Sequence, residues 1–210
     1  MRLVFATRNR GKLVELRALL DGAGLPVPVE VLGLDEAGLH DEVVEDGRTF
    51  ADNARKKAEA ALRGSGLAAL ADDSGLEVDA LGGAPGVDSA LYAGLPSGAP
   101  GADEANNARL VRELAATPPP RTARYRCVLA LALPGEPVAF EDGTAEGEIL
   151  LSPRGAGGFG YDPYFLVPAL GRTMAELPLE EKNRISHRGQ AMRRIVARLR
   201  SRLGAGGETG

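Results

Sequence analysis

"LAALADDSGLEVDALGGAPG", Leu67 to Gly86, is the stretch on which the reading of this chain turns. A short apolar run meets two adjacent carboxylates, Asp72 and Asp73, then Ser74 and Gly75. An apolar run bounded by turn residues predicts a buried strand, and the glycine- and proline-rich segment from Gly75 to Gly101 predicts mostly loop. Successive strand side chains point to opposite faces, so neighbouring aspartates within the strand cannot share one direction. One is expected to face a site at the strand's end, where α/β sheets place their ligands. The other is expected to hold the loop by accepting backbone N–H bonds.

Working outward, "RLVFAT" reads as a buried strand, "RNRGK" as a tight polar loop and "LVELRALLDGAG" as a helix. "VPVEVLGL" predicts a second short strand. Thr49 opens the next helix, with Asp52 three residues on in the manner of a capping box. "DEANNARLVRELAAT" predicts a helix stopped by "PPP", and "ARYRCVLALAL" with "VAFEDGTAEGEIL" predicts a β-meander. "SPRGAGGFGYDPYF" reads as a glycine-rich loop. "EEKNRISHRGQAMRRIVARLRSRL" predicts one closing helix, and residues 204–210 a flexible tail. Strand–helix units mixed with a meander predict an α/β fold with a mixed sheet.

Bulk properties narrow the field. The 210 residues suit one domain with a sizeable core. Apolar content of 44% and charged content of 26% are those of an ordinary soluble protein, and the net charge of −4 gives no polyanion-binding surface. Nucleic acid is therefore not an expected partner. No apolar run reaches the roughly 20 residues of a membrane span, and no signal peptide is evident. Cys127 stands alone in an apolar strand, which leaves neither a disulfide nor a zinc cluster. The expected location is the cytoplasm, without a membrane partner.

Several short stretches carry chemistry. "ATRNRGK" brings Lys12 to a helix N-terminus, where backbone N–H groups favour an anion, although neither a Walker A loop nor GxGxxG is present. In "DNARKKA", Asn53 and Lys57 lie four apart on one helical face and can present a donor and a charge to a phosphate. "EVVEDG" clusters acids, from which Glu45 or Asp46 could join Asp73 around a metal ion. A carboxylate at a strand mouth suits Mg²⁺ or the activation of water. In "GGFGYDP" and "SHRG", Phe159 and Tyr161 could stack on a flat ring, while Asp162, His187 and Arg188 could read hydrogen-bonding edges.

Five stretches together resemble one family, the Ham1-like pyrophosphatases of non-canonical purine nucleoside triphosphates. They are "ATRNRGK", "EDGRTFADNARKKA", "ADDSGLEVDALGGAPGVDSALYAG", "GGFGYDPYF" and "EEKNRISHRGQA", in order from Thr7 to Ala191. The resemblance implies an elongated mixed sheet between two α/β lobes, a single domain over residues 1–203, with the active site in the cleft. It implies Mg²⁺-dependent hydrolysis of ITP, dITP and XTP at the α–β linkage, clearing these nucleotides from the pool, by a homodimer. Residue by residue, it places Thr7, Asn9 and Lys12 in the loop around the phosphates, with Lys57 beside them; Arg8, Arg10 and Gly11 of the same loop are taken as substrate-binding too, the two arginines standing where many relatives carry small residues. Asp73 matches the general base and metal ligand, Glu45 looks like the second metal-side carboxylate, and Ser74 matches a substrate contact. Phe159, Gly160, Tyr161, Asp162, Lys182, His187 and Arg188 match the nucleobase pocket.

Overall fold

The computed structural model describes residues 1–205. The chain forms seven strands, β1 (Arg2–Phe5), β2 (Glu30–Leu32), β3 (Ala68–Val78), β4 (Thr122–Ala132), β5 (Ala139–Ile149), β6 (Phe165–Val167) and β7 (Arg172–Thr173). They make one sheet in the order β2-β1-β3-β4-β5-β6-β7. β1 runs parallel to both β2 and β3, while β6 runs antiparallel to β5 and β7, so the sheet is mixed as expected. The α-helices are α1 (Arg10–Asp21), α2 (Phe50–Ser65), α3 (Ala102–Leu114), α4 (Leu179–Ile185) and α5 (His187–Ala205).

Local chemistry sets the helix starts. Asn9 caps α1, its side chain accepting the Lys12 N–H at 3.2 Å. Thr49 caps α2 by accepting the Asp52 N–H at 3.1 Å, and its hydroxyl donates to the Asp52 carboxylate at 2.7 Å. The cap half of the expected box is therefore present and satisfies one donor that a bare first turn leaves open, while the Asp52 carboxylate accepts the Thr49 hydroxyl instead of its backbone N–H. Gly66 ends α2 in the left-handed region at φ 67°, a conformation glycine adopts without a Cβ clash.

The chain packs as two units. Among the described residues, one comprises 1–73, 127–143 and 188–205; the other comprises 74–126 and 144–187. The first is built on Leu3, Phe5, Leu16, Leu70, Leu129 and Met192, all essentially inaccessible to solvent. The second has its own core of Leu76, Leu110, Tyr125, Phe165, Met174 and neighbours. Each fully buried Leu or Phe in such a core contributes about 1.5–3 kcal/mol.

Three features depart from the sequence reading. β3 does not end before Gly75 but runs on to Val78, because Leu76 and Val78 alternate inward and are completely buried. Burial of that apolar face overrides the weak strand preference of glycine. The single closing helix is divided at Ser186, whose backbone is extended (φ −68°, ψ 156°), so that α4 ends and α5 begins at His187. α5 also continues through Gly204 and Ala205, residues assigned to the tail; residues 206–210 lie outside those described. Among the described residues, no helix is long and apolar enough to cross a membrane.

Gly147 shows how tightly the second unit is packed. A Cβ on this β5 residue would lie 2.4 Å from the Phe165 ring and 2.5 Å from the Leu166 carbonyl. Gly147→Ala should destabilise the protein by about 1–3 kcal/mol, read as a lowered denaturant midpoint at unchanged slope.

Candidate active site

Asp72 and Asp73 lie within β3, with the strand continuing on both sides, and both are buried, at 1% and 7% exposure. Strand alternation separates them as expected. Asp73 takes a partner from α2: Lys57 Nζ donates to its Oδ1 at 2.9 Å. Asn53 Nδ2, one helical turn earlier, lies 3.3 Å from its Oδ2. The same Lys57 ammonium donates to Glu45 Oε2 at 2.6 Å. Of the acids in "EVVEDG", Glu45 is thus the one brought to the Asp73 centre, and Asp46 pairs with Lys56 instead.

Asn53 ties the centre together from below. Its Oδ1 accepts the Gly47 N–H at 2.8 Å while its Nδ2 reaches Asp73. A Cβ on Gly47 would meet that Oδ1 at 2.5 Å, so the acidic segment comes this close only because residue 47 is glycine. The Asn53–Lys57 pair seen in the sequence serves a carboxylate directly.

Asp72 has a different environment. Lys12 Nζ donates to its Oδ1 at 3.0 Å and Arg188 Nε to its Oδ2 at 3.1 Å. Arg188 also pairs with Glu15 of α1, which is 3% exposed. The expected role of Asp72 as a loop holder gives way to that of an anion in a buried network of two carboxylates and two cations. Arg188, expected at the nucleobase, is brought into this network.

The electrostatics follow from these partners. Burial raises the Asp73 carboxyl, Lys57 pulls it back and Glu45 pushes it up, leaving it at about 6. Burial opposes the charge on Lys57, but Asp73, Glu45 and Asp72 more than offset this and raise its pKa. Burial likewise opposes ionisation of Asp72, yet Lys12, Arg188 and Lys57 hold it well below the usual carboxylate range.

Other loop residues are committed locally. Thr7 Oγ1 accepts the Asn9 N–H at 3.1 Å. Arg8 donates to the carbonyls of Leu39 and His40 at 3.2 and 2.9 Å and lies 3.5 Å from Asp35. Arg10 is exposed at the start of α1, followed by half-buried Gly11.

The second unit gathers the other predicted group, with half-buried Ser74 at its start. Lys182 Nζ donates to Asp162 Oδ2 at 2.8 Å and sits 4.8 Å from the centre of the Phe159 ring. Asp162 also accepts the Phe159 N–H at 3.0 Å and the Tyr125 hydroxyl at 3.3 Å. His187 stacks on the Tyr125 ring with centroids 4.7 Å apart. Tyr161 is in the core, its hydroxyl donating to the Ser89 carbonyl at 2.8 Å; it does not present an open face for stacking. Gly160 is held by Asp103 and Asn107 of α3.

Sequence reasoning missed Glu15, Tyr125, Asp103 and Asn107. Glu15 was detectable as a carboxylate on the leucine-lined side of α1. The Asn106–Asn107 doublet was detectable as two poor helix formers inside a helix. Tyr125, a lone aromatic in an apolar strand, gave no signal beyond core packing.

A mixed α/β sheet carrying a buried carboxylate–lysine centre on β3 and α2 defines the class. Comparison with known proteins makes this specific. The sequence profile of the Ham1 family matches residues 3–198. A dITP/XTP pyrophosphatase from Geobacter sulfurreducens is 54% identical over 204 residues, covering 97% of this chain and 96% of the relative. Another dITP/XTP pyrophosphatase, from Desulforamulus reducens, is 52% identical over 197 residues, covering 93% and 94%. The solved Ham1 protein of Staphylococcus aureus superposes with a TM-score of 0.82 at 39% identity, over 96% of this chain and all of that one. The chain belongs to the Ham1 family.

Because Asp72 is depressed in the folded protein, its stabilising contribution is present above the ordinary carboxylate value of 3.8 and is lost as pH falls below it. Asp72→Asn strands buried cations and should cost about 3–5 kcal/mol at neutral pH. Urea midpoints measured from pH 7 down to pH 3 should fall less steeply below pH 4 for the variant than for the wild type.

Proposed function

We propose that this chain hydrolyses non-canonical purine nucleoside triphosphates, ITP, dITP and XTP, at the α–β linkage, releasing nucleoside monophosphate and pyrophosphate. The observation that carries this reading is the Asp73–Lys57–Glu45 centre, in a chain about half identical to proteins named dITP/XTP pyrophosphatases. The expected Mg²⁺ fits that centre. Two hard carboxylate oxygens converge on one ammonium, marking a place where a cation is favoured, and Mg²⁺ commonly takes one or two carboxylates plus substrate phosphates. Among the described residues no group of three or more His, Cys, Asp or Glu that could hold a metal ion is gathered, so the nucleotide's phosphates would have to supply further ligands.

In this reading Asp73 and Glu45 would hold Mg²⁺, which would offset phosphate charge and lower the pKa of a bound water. Asp73, basic near neutral pH, takes the proton of the attacking water. The water oxygen forms the new bond to the α-phosphorus as the bond to the bridging oxygen breaks, and pyrophosphate leaves. Lys57 and Lys12, with the N-terminal loop from Thr7, offset the charge of the phosphate chain. Asn53 orients Asp73.

For the nucleobase, Phe159 supplies a face, while Lys182 and His187 supply donors for the oxygen that inosine and xanthine carry at C6. Adenine offers an amino group there, and two donors facing each other leave buried groups unpaired, a mismatch that discriminates strongly. Arg188 acts by holding Asp72. Action in the cytoplasm as a homodimer, without nucleic-acid or membrane partners, belongs to the same proposal; the net charge of −4 and the buried lone Cys127 are in keeping with it.

Pyrophosphate release should be measured from ITP, XTP, dITP, GTP, ATP and dTTP, with and without Mg²⁺. Selective, Mg²⁺-dependent turnover of the first three is expected; release of single phosphate, or a pyrimidine preference, would overturn the reading. Asp73→Asn should lower kcat about 100- to 10,000-fold while leaving the folded circular-dichroism spectrum intact. Near-normal turnover by that variant would remove Asp73 from the chemistry.

A further inference from the structure

Asn106 and Asn107 are adjacent in the interior of α3, and both are buried, at 3% and 7% exposure. Asn106 is absorbed by the fold: it accepts the Ala93 N–H at 2.7 Å and donates to the carbonyls of Ser89 and Ala90 at 3.4 and 3.2 Å. Asn107 is not. Its Nδ2 donates to the Gly160 carbonyl at 2.9 Å, while its Oδ1 is buried without a hydrogen-bond partner among the described residues. Asp103, one turn earlier on the same helical face, accepts the Gly160 N–H at 2.8 Å. Both backbone polar groups of one glycine are therefore held by one turn of α3.

The location of that glycine gives the clamp its meaning. Gly160 is left-handed, at φ 62°, and follows Phe159 directly. Glycine has the widest backbone freedom of any residue, so an untethered loop here would sample many conformations. The next tie is internal, through Asp162, which binds both the Phe159 N–H and the Lys182 ammonium. Fixing the Gly160 peptide from α3 therefore fixes the Phe159 ring and, through Asp162, the Lys182 donor. Packing alone does not account for these side chains: the Asp103 bond is exposed, and the buried Asn107 oxygen costs free energy that an apolar residue would not.

We propose that Asp103 and Asn107 are positioning residues that set nucleobase selection, through their grip on the Gly160 peptide. This rests on the reading of Phe159, Asp162, Lys182 and His187 as the base-recognising group. A recognition group must be held within about 0.5 Å of its working geometry to discriminate, and the clamp supplies that restraint where the loop backbone cannot. Neither residue belongs to the Asp73–Lys57–Glu45 centre, so their removal should act on binding and selection.

The test measures kcat and KM for ITP, XTP and GTP with Mg²⁺ in the wild type, Asp103→Ala, Asp103→Asn and Asn107→Ala. Phe159→Ala and Lys182→Ala serve as probes of the pocket itself, and thermal midpoints verify folding. Asp103→Ala and Asn107→Ala should each raise KM for ITP and XTP about tenfold, the worth of one ordinary hydrogen bond, with kcat nearly unchanged and the preference over GTP narrowed. Asp103→Asn, which keeps an acceptor for the Gly160 N–H, should restore wild-type values. If the Phe159 and Lys182 variants shift base preference and the α3 variants do not, the positioning role is wrong while the pocket reading stands. If the Phe159 and Lys182 variants leave base preference as it was, the pocket reading fails and the positioning role with it. A uniform loss of kcat on all three nucleotides, unrescued by Asp103→Asn, would make the clamp merely structural and overturn the proposal.

Discussion

Two neighbouring carboxylates in one buried strand must face opposite ways, and the first unit is arranged around that requirement. Asp72 is met by Lys12 and Arg188, Asp73 by Lys57 and Asn53. Of the elements supplying those partners, α1 and α5 are placed by the apolar faces they bury against β1, β3 and β4, while α2 buries Phe50, Ala54, Ala58 and Ala61 and packs against β1. Removing a partner from a buried charge costs more than the pair contributes, so the arrangement is strongly specified. Opposite faces also give the two aspartates opposite electrostatic fates. One is pulled far down by surrounding cations; the other is left near 6, where it can exchange a proton.

The same geometry recurs at the start of α5. His187 and Arg188 are adjacent, and neighbours on a helix point about 100° apart. His187 stacks on Tyr125, whereas Arg188 reaches Glu15 and Asp72. In both places a charged or polar doublet that reads as one motif serves two neighbourhoods. The second unit has its own constraint: a Cβ on Gly158 would stand 2.1 Å from the Asp162 carboxylate, so only glycine lets the loop close over that side chain.

Much of this was legible in the sequence. The strand–loop–helix opening, the Thr49 cap and the mixed sheet followed from apolar spacing and capping residues. The opposed directions of Asp72 and Asp73 followed from strand alternation alone. The partners of Asp72 could not be read, because they come from positions 60 and 116 residues away. The continuation of β3 past Gly75 was hidden because glycine and serine advertise a turn, and only packing against Leu76 and Val78 keeps the chain extended. The break at Ser186 was masked by apolar residues at helical spacing on both sides. Glu15, buried among leucines, and Tyr125 needed the assembled core before their roles could be seen.

Around β3, four carboxylates (Glu15, Glu45, Asp72 and Asp73) face three cations (Lys12, Lys57 and Arg188), so each of these cations is already paired with a carboxylate. An arriving anion gains nothing from vacant positive charge; it must compete with carboxylates for the lysines. In the proposed reaction a small, weakly charged anion would lose that competition, whereas a long polyphosphate with its own counter-cation would win it. The centre therefore behaves as a charge threshold. On the proposed reading, a single phosphate would be held less well than a polyphosphate, and the monophosphate left after cleavage less well than the substrate.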